Sequence, residues 1–314
     1  QPPPDAMLFL LLADWFTGAM ALESSPLALH TPLMSAAKYI CSGRDYLHFL
    51  PFNIRSLMLP GETKRVQLSD PRITSLFEEV QASQLGCLGQ LLITDSGDFA
   101  AVSSLLEIVE CRKRESGVWA ELRAVARVRI SEVTQTENDF VSGHVRLHTD
   151  ARVEQPLPPA LVDEVRETYE SCHTLSRKLR EKTGADEASA PAPDDHAASD
   201  AVGEWTPPSA AVGSRFDQGL DSILQQRREV MCARGLDSSP VASLDEDVQA
   251  LLGVGNEEAA ELQLFSFCAA GCLGASGRAK ALNAVSTAER LHYTTAVLRK
   301  KQARLAAQLA LADL

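Results

Sequence analysis

Two pairs of residues spaced four positions apart carry side chains that bind metals, His144 with His148 and Cys268 with Cys272. The histidines lie where apolar and polar residues alternate, which predicts a strand. Such a strand rises about 3.3 Å per residue, so about 13 Å separates the histidines, too far for one ion. The cysteines lie on a predicted helix, but a structural zinc site needs four ligands and no finger-like pair supplies the others. We therefore expect no metal site and place both histidines on a solvated face.

Glycine-rich segments in the second half of the chain fall short of nucleotide-binding motifs. In segment 271–280, glycine occupies every third position from 271 to 277, but Arg278 stands where a phosphate loop needs lysine followed by serine or threonine. The Gly-Val-Gly run at 253–255 has neither the third glycine nor the preceding strand of a dinucleotide site. The sequence also contains no G-x-S-x-G and no H-E-x-x-H segment.

Paired acids are the remaining candidates for catalysis. Glu78-Glu79 lie on the surface of a predicted helix and Asp194-Asp195 in a stretch rich in proline and alanine, where solvation accounts for both pairs. Because function must be argued from an assembled site and none assembles, we expect no enzymatic activity. We predict no catalytic residue, no cofactor and no metal, and the sequence names no substrate-binding residue.

Three arginines, Arg123, Arg127 and Arg129, share one face of a predicted strand over 118–133, opposite an apolar face. Such a row could bind an anionic group. Three charges on one exposed face are more often a solvated face that protects a sheet edge from pairing. Under both interpretations the three side chains are exposed.

Short strands dominate the segment 46–150 that carries these arginines. Alternating apolar residues, a Pro60-Gly61 turn and a hairpin loop over 112–117 indicate antiparallel pairing. One helix is expected after Asp70-Pro71, because aspartate is a good N-cap and proline suits the first helical position. We predict a small, curled, antiparallel sheet with one helix, whose buried face carries Ile73, Leu76, Phe77 and Val80.

From residue 156 onward the apolar period becomes helical. A seam recurs every three or four residues over 161–179, and further helices are predicted over 216–231 and 257–273. Ser286-Thr287-Ala288-Glu289 has the spacing of a capping box ahead of a final helix. We expect a C-terminal helical bundle, with the seams formed by Leu161, Val165, Tyr169, Cys172, Leu175 and Leu179 and by Leu291, Leu298, Leu305 and Leu309.

The chain has 314 residues and a formal net charge of −12, which argues against a general nucleic-acid binder. Half of that excess lies in segment 183–213, which holds six acidic residues and no lysine or arginine. This segment has almost no large apolar residue except Trp205, so we expect an acidic disordered linker. The charge argument against anionic partners is weaker for the parts on either side.

The N-terminal segment 6–22 is apolar but short for a membrane span of about 20 residues, and Asp14 interrupts it. We expect an apolar docking helix or a remnant leader, and no membrane span. The first residue is Gln1 rather than methionine, so we also expect a processed chain or an incomplete gene. The cysteines are seven in number, scattered and without C-x-x-C spacing. We expect them to be reduced thiols and the compartment to be intracellular. It is either the cytoplasm or an organelle such as a plastid or mitochondrion.

An ordered set of segments resembles the Lon protease N-terminal, substrate-binding domain. Leu50-Pro51-Phe52 through Leu59-Pro60-Gly61-Glu62 and Leu68-Ser69-Asp70-Pro71-Arg72 resemble its opening, and segments 105–110 and 124–130 resemble two of its strands. Segment 264–273, then Leu282 and Ser286-Thr287-Ala288-Glu289-Arg290-Leu291, resemble its helical tail. The resemblance covers 46–150 and 262–298, around half of the chain.

The resemblance implies an α+β protein with a PUA-like antiparallel β domain followed by a helical part. It also implies a non-catalytic module that recognises unfolded or degron-bearing polypeptides, as an adaptor or quality-control factor working with a protease or ligase complex. No Walker motif and no serine–lysine segment is present. The alternative is the N-terminal fragment of an ATP-dependent serine protease whose ATPase and protease parts are missing.

The predicted domain organisation follows from these segments. It comprises an N-terminal apolar extension over 1–45, a PUA-like β domain over 46–155, a helix over 156–182, the acidic disordered linker over 183–213 and a helical domain over 214–314.

Overall fold

The structure is a computed structural model. It describes residues 39, 44–83, 86–94, 96–114, 117–136, 140–151, 157–183, 219–232 and 257–312. The predicted extension over 1–45 lies outside these residues except at 39, 44 and 45, and the predicted linker over 183–213 lies outside except at Thr183. The chain passes from one compact unit to a second between His148 and Thr149.

The first unit combines a six-stranded sheet with a helix in the part of the chain that the structure describes. The strand order is β2-β5-β4-β3-β1-β6. The central strand β3 is buried along its whole length, in keeping with its apolar sequence between two turns. The elements are β1 (Tyr46–Asn53), β2 (Thr63–Leu68), α1 (Pro71–Ser83), β3 (Cys87–Ile93), β4 (Val102–Arg114), β5 (Gly117–Gln135) and β6 (Val141–Leu147).

The sheet is mixed, so the prediction of a purely antiparallel sheet is wrong. Strands β1 and β3 run parallel, with Phe49 opposite Gly89, whereas the other pairs are antiparallel. The chain between β1 and β3 includes β2 and α1, and parallel neighbours need such a long crossover. The α+β class is confirmed.

Five strands of the sheet close into a ring. Strand β6 pairs with β1 on one side and with the second half of β5 on the other, while β2 pairs with the first half of β5 outside the ring. Closure brings two backbones together at Gly143, where an added Cβ would lie 1.9 Å from the carbonyl oxygen of Glu132. Glycine is therefore required at this position.

The β4–β5 hairpin is longer than its predicted strands. Pairing continues to Arg114 opposite Gly117, so most of the predicted loop over 112–117 is strand. Gly117 has a φ of 121°, which glycine adopts without strain. Arg112 and Lys113 are consequently strand residues with cross-strand neighbours, Trp119 and Val118.

Helix α1 begins as the sequence predicts. The Oδ1 atom of Asp70 accepts a hydrogen bond from the backbone N–H of Arg72 at 2.8 Å, and Pro71 is the first helical residue. The predicted buried face is confirmed, because Ile73, Leu76, Phe77 and Val80 are all buried.

Five described helices make up the second unit, α2 (Pro159–Thr183), α3 (Leu220–Cys232), α4 (Glu257–Gly271), α5 (Ala275–Asn283) and α6 (Thr287–Leu311). Helix α2 packs along α6, and α4 contacts α3, α5 and α6. The Cys172 thiol donates to the carbonyl of Leu298 at 3.4 Å, where the two predicted seams meet. Leu175 and Leu179 lie beyond the fully buried part of the α2 seam. None of the described helices is long and apolar enough to cross a membrane.

The Ser-Thr-Ala-Glu-Arg-Leu segment starts α6. The Ser286 Oγ accepts the N–H of Glu289 at 3.2 Å, as a capping box requires. In a capping box the glutamate also accepts a hydrogen bond from the N–H of the N-cap residue, here Ser286. The Glu289 carboxylate instead accepts the N–H of the preceding residue, Val285, at 2.8 Å. Thr287 donates from Oγ1 to the carboxylate of Asp150.

Arg290 is a fully buried charge at this helix start. Its guanidinium bonds both oxygens of Asp150, at 2.6 and 3.2 Å, and its Nε donates to the Oγ of Ser266 at 2.9 Å. The guanidinium carbon lies 3.8 Å from the centre of the Phe267 ring. This ion pair ties the segment after β6 to α4 and α6.

The glycine-spaced segment 271–280 joins two helices. Gly271 ends α4, Gly274 is the N-cap of α5, and Gly277 lies buried within α5. An added Cβ on Gly277 would lie 2.9 Å from the Cβ of Leu273. Gly277 therefore allows close packing within this segment. The structure has an additional helix here, α5, which the sequence did not predict.

Candidate functional site

His144 and His148 lie at the β6 end of the first unit. The His144 Nδ1 is 3.3 Å from the Asp45 carboxylate, and its ring meets Tyr46 edge-on at 5.4 Å between centroids. The backbone N–H of His148 donates to the carbonyl of Arg127. Among the described residues, no three or more histidine, cysteine or acidic side chains are grouped to hold a metal.

The five cysteines Cys87, Cys111, Cys172, Cys268 and Cys272 form no disulfide and are mostly buried. Cys268 and Cys272 are both buried in the second unit, and the Cys272 thiol donates to the Ala269 carbonyl at 2.9 Å. Burial raises the pKa of Cys111 and the pKa of Cys172 to about 11. These two thiols are therefore protonated near neutral pH, and a protonated thiol is a poor nucleophile.

The prediction that Arg123, Arg127 and Arg129 share an exposed face is wrong for two of the three. Arg127 is 1% exposed, and the Arg123 side chain is only 13% exposed and lies 3.6 Å from the Glu107 carboxylate. Of the three, only Arg129 is exposed. The pairing of β5 with β4 skips Val125, and such a bulge shifts the alternation of faces along β5, so these arginines do not form one anion-binding row.

His48 and Ser142 form a buried polar pair that the sequence did not predict. The His48 Nδ1 and the Ser142 Oγ are 2.5 Å apart across the β1–β6 pairing, and the Phe140 ring packs edge-on against the imidazole. Burial lowers the pKa of His48, and the charge of Glu79 partly opposes that shift. Alternation placed Ser142 on a solvated face, and only the pairing of β6 with two strands buries it.

Another buried network holds the loop between β1 and β2. The Gln90 side chain is fully buried; it accepts the N–H of Met58 and donates to the carbonyl of Ser56, both at 3.1 Å. Ser104 donates from Oγ to the Met58 carbonyl at 2.5 Å, and Ser103 donates to the Gln90 carbonyl. Hydrogen bonds to side chains of β3 and β4 therefore hold the loop against these two strands.

The loop ends in a tight turn that delivers the chain into β2. The backbone N–H of Glu62 donates to the Leu59 carbonyl at 3.0 Å, with Pro60 and Gly61 between them. Gly61 has a φ of 88°, so the turn is of the type that places proline second and glycine third. The Glu62 carboxylate accepts the N–H of Leu59 at 2.8 Å and closes the turn from the side.

Strand β2 is an edge strand with a defined outer side. The N–H of Ala124 donates to the carbonyl of Glu62, which fixes which residues of β2 face β5. By the alternation of antiparallel pairs, Lys64, Val66 and Leu68 bond towards β5, and the backbone groups of Thr63, Arg65 and Gln67 point away. Within the described part of the chain, no strand pairs with that outer edge.

Three rows of side chains cross the outer face of β2, β5 and β4. Arg65 contacts Glu121 at 2.8 Å, and Arg112 lies over the Trp119 ring at 5.3 Å. The ion pairs neutralise neighbouring charges and hold the long side chains in place. Read in the order β2, β5, β4, the rows are Thr63, Arg123 and Glu107, then Arg65, Glu121 and Glu110, then Gln67, Trp119 and Arg112.

An edge strand of this kind is suited to binding extended polypeptide. Backbone N–H and C=O groups on an open edge pair with any extended chain, and side chains beside them add selectivity. The strand itself is predictable from the alternation around Val66. Its edge position is not, because that depends on which other strands pair with β5.

Comparison with known families matches residues 47–206 to the ATP-dependent protease La (LON) substrate-binding domain. The chain belongs to this family. The resemblance inferred from the ordered segments is therefore confirmed. The matched range begins in β1 and includes the other described strands, the loop between β1 and β2, and α2.

Two solved structures are also similar to this member of the Lon substrate-binding family. A Lon N-terminal domain protein from Xanthomonas campestris is 25% identical over 40% of this chain and 72% of its own, with a TM-score of 0.33. The N-terminal domain of the Mycobacterium avium complex Lon protease is 14% identical over 82% of this chain and 98% of its own, with a TM-score of 0.40. Comparison with curated proteins gave no significant match.

Proposed function

We propose that this chain is a polypeptide-binding module that recognises unfolded or degron-bearing segments without catalysing their cleavage. The observation that carries the proposal is the match of residues 47–206 to a substrate-binding domain. The open edge of β2 supports it, because an extended polypeptide is the ligand that such an edge accepts. The module corresponds to a PUA-like β domain followed by a helical bundle, and we place it as an adaptor or quality-control factor.

The thiols support a reducing, intracellular compartment for this module. Cys87, Cys111, Cys172, Cys268 and Cys272 form no disulfide, and all but Cys111 are buried. Titration of the native and the denatured chain with a thiol reagent tests this part. We expect the four buried thiols to react only after denaturation.

Binding of an unfolded protein to the full chain tests the function. The probe is a fluorescently labelled, disulfide-bonded protein whose cysteines are reduced and alkylated, so that it cannot refold. The control is the same labelled protein in its native form. We expect saturable binding of the unfolded form without ATP, measured by fluorescence anisotropy and by crosslinking. Equal binding of both forms, or of neither, would overturn the proposal.

A further inference from the structure

We infer that the outer edge of β2 binds an extended, acidic segment of a polypeptide by adding it to the sheet as a further strand. This inference rests on the proposed function and names the site and the chemistry of its ligand. The site consists of Thr63, Lys64, Arg65, Val66 and Gln67, and we call it the β2 edge.

The first argument is the outer backbone of the β2 edge, with which none of the described strands pairs. The N–H and C=O groups of Thr63, Arg65 and Gln67 point away from β5, and no described strand lies against them. Thr63 and Arg65 are exposed, the Arg65 side chain to 62%. A strand that pairs here gains the ladder of hydrogen bonds that the edge lacks.

The second argument is the charge of this strand. Lys64 and Arg65 give β2 two positive charges and it contains no acidic residue, in a chain whose net charge is −12. Two copies of the strand would bring like charges together, which opposes self-pairing. Successive side chains of a strand point to opposite faces, so carboxylates on one face of an incoming strand would meet Arg65, while Lys64 lies on the other face with Val66.

The third argument is that the edge is already organised before a ligand arrives. The Gln90 network and the Pro60-Gly61 turn hold the chain that enters β2, and the Arg65–Glu121 pair holds the side chain at its centre. Little conformational entropy of the protein is then lost on binding. An alternating acidic and apolar segment fits best, with its apolar side chains beside Val66 and its carboxylates beside Arg65.

The experiment measures binding of short fluorescent peptides to the full chain by anisotropy. The probe is an alternating glutamate–valine hexapeptide. Its two controls are the lysine–valine peptide and the glutamate–valine peptide N-methylated at two adjacent central residues, which blocks both of its edges. We expect at least about a tenfold weaker affinity for each control, equivalent to about 1.4 kcal/mol.

Variants of the chain locate the site. K64Q/R65Q removes both cations without adding a like charge opposite Glu121, and R129Q removes an exposed cation elsewhere on β5. We expect K64Q/R65Q to weaken the affinity for the glutamate–valine peptide at least about tenfold and R129Q to change this affinity less than about twofold. Unchanged binding by K64Q/R65Q would overturn the inference.

The N-methylated peptide gives an independent test, because it needs no variant of the protein. Equal affinity for the methylated and unmethylated peptides would show that backbone pairing is not involved and would overturn the inference. So would a dimer in sedimentation that the peptide neither binds nor dissociates, because a second copy would then cover the edge. If K64Q/R65Q leaves the unfolded probe protein bound as before, the inference fails while the proposed function stands. If the wild-type chain binds no unfolded protein, the proposed function fails.

Discussion

Arg290 shows how one side chain holds three parts of the second unit together. It is fully buried, and its partners Asp150, Ser266 and Phe267 come from the segment after β6 and from α4. A buried ion pair adds little stability relative to apolar packing, but removing one partner leaves a charge without compensation. The arginine of the Ser-Thr-Ala-Glu-Arg-Leu segment is therefore sensitive to substitution.

We expect R290M to lower the free energy of unfolding by about 3–5 kcal/mol, because the Asp150 carboxylate loses the charge of the arginine that pairs with it. Urea denaturation of the full chain measures this. R299M is the matched control, since Arg299 is 65% exposed and pairs with Glu164 at the surface. It should change stability by less than about 1 kcal/mol, and similar losses in both variants would contradict the prediction.

His48 should make the first unit less stable in mild acid. Burial lowers the pKa of His48, so the unfolded chain takes up a proton more readily than the folded one. Its contribution to stability is complete above the ordinary histidine pKa of about 6.5 and falls as the pH drops below that value. Glu79 opposes part of this effect.

The measurement is the urea midpoint at about pH 7.5 and at about pH 5.5, on either side of the ordinary histidine pKa. We expect H48Q to lose less stability than the wild type between these values. H144Q, which replaces an exposed histidine of β6, should keep the wild-type response. If H48Q and the wild type lose stability equally, burial of His48 is not the cause.

At the scale of elements, closure of the ring depends on β6. This strand pairs with β1 and β5 at once, and an added Cβ at Gly143 would clash with the backbone of β5. The contact is with a carbonyl oxygen of the backbone, which cannot rotate away as a side chain could. A methyl group here must therefore separate the strands.

We expect G143A to lower the free energy of unfolding by about 1–3 kcal/mol, towards the upper value because backbone has to move. Urea denaturation measures the loss, and faster hydrogen exchange of the β6 amides locates it. G219A is the control, because the nearest atom to its new methyl group is the Glu170 Oε1 at 3.5 Å. A smaller loss in G143A than in G219A would contradict the closure argument.

At the scale of the whole molecule, the described elements of the first unit are consecutive in the chain. All six described strands and α1 lie before Thr149. A fragment of residues 39–148 should therefore fold alone. A fragment of residues 39–135, which lacks β6, should not, because it leaves β1 and β5 with open edges.

Amide dispersion in a proton–nitrogen spectrum and cooperative urea unfolding measure both fragments. We expect dispersed peaks and one transition for the longer fragment only. Folding of the shorter fragment would show that ring closure is not needed. Failure of the longer one would show that the first unit depends on later parts of the chain.

Local patterns in the sequence were enough for the features that depend on neighbouring residues. The cap at Asp70 and the start of α6 at Ser286 rest on contacts within a few positions, and the apolar period within each helix indicated the buried face of α1 and the seam around Cys172. The order of the motifs also indicated the Lon substrate-binding family, which the match over 47–206 confirms.

Contacts between distant segments decided the rest. Periodicity in the sequence was sufficient for most strands and helices, because it records which faces are apolar, but not for α5. The parallel pairing of β1 with β3, the burial of Arg127 and Ser142 and the edge position of β2 follow only from the assembled fold. These properties depend on which strands become neighbours, and strand periodicity is the same whether a strand lies at an edge or within a ring.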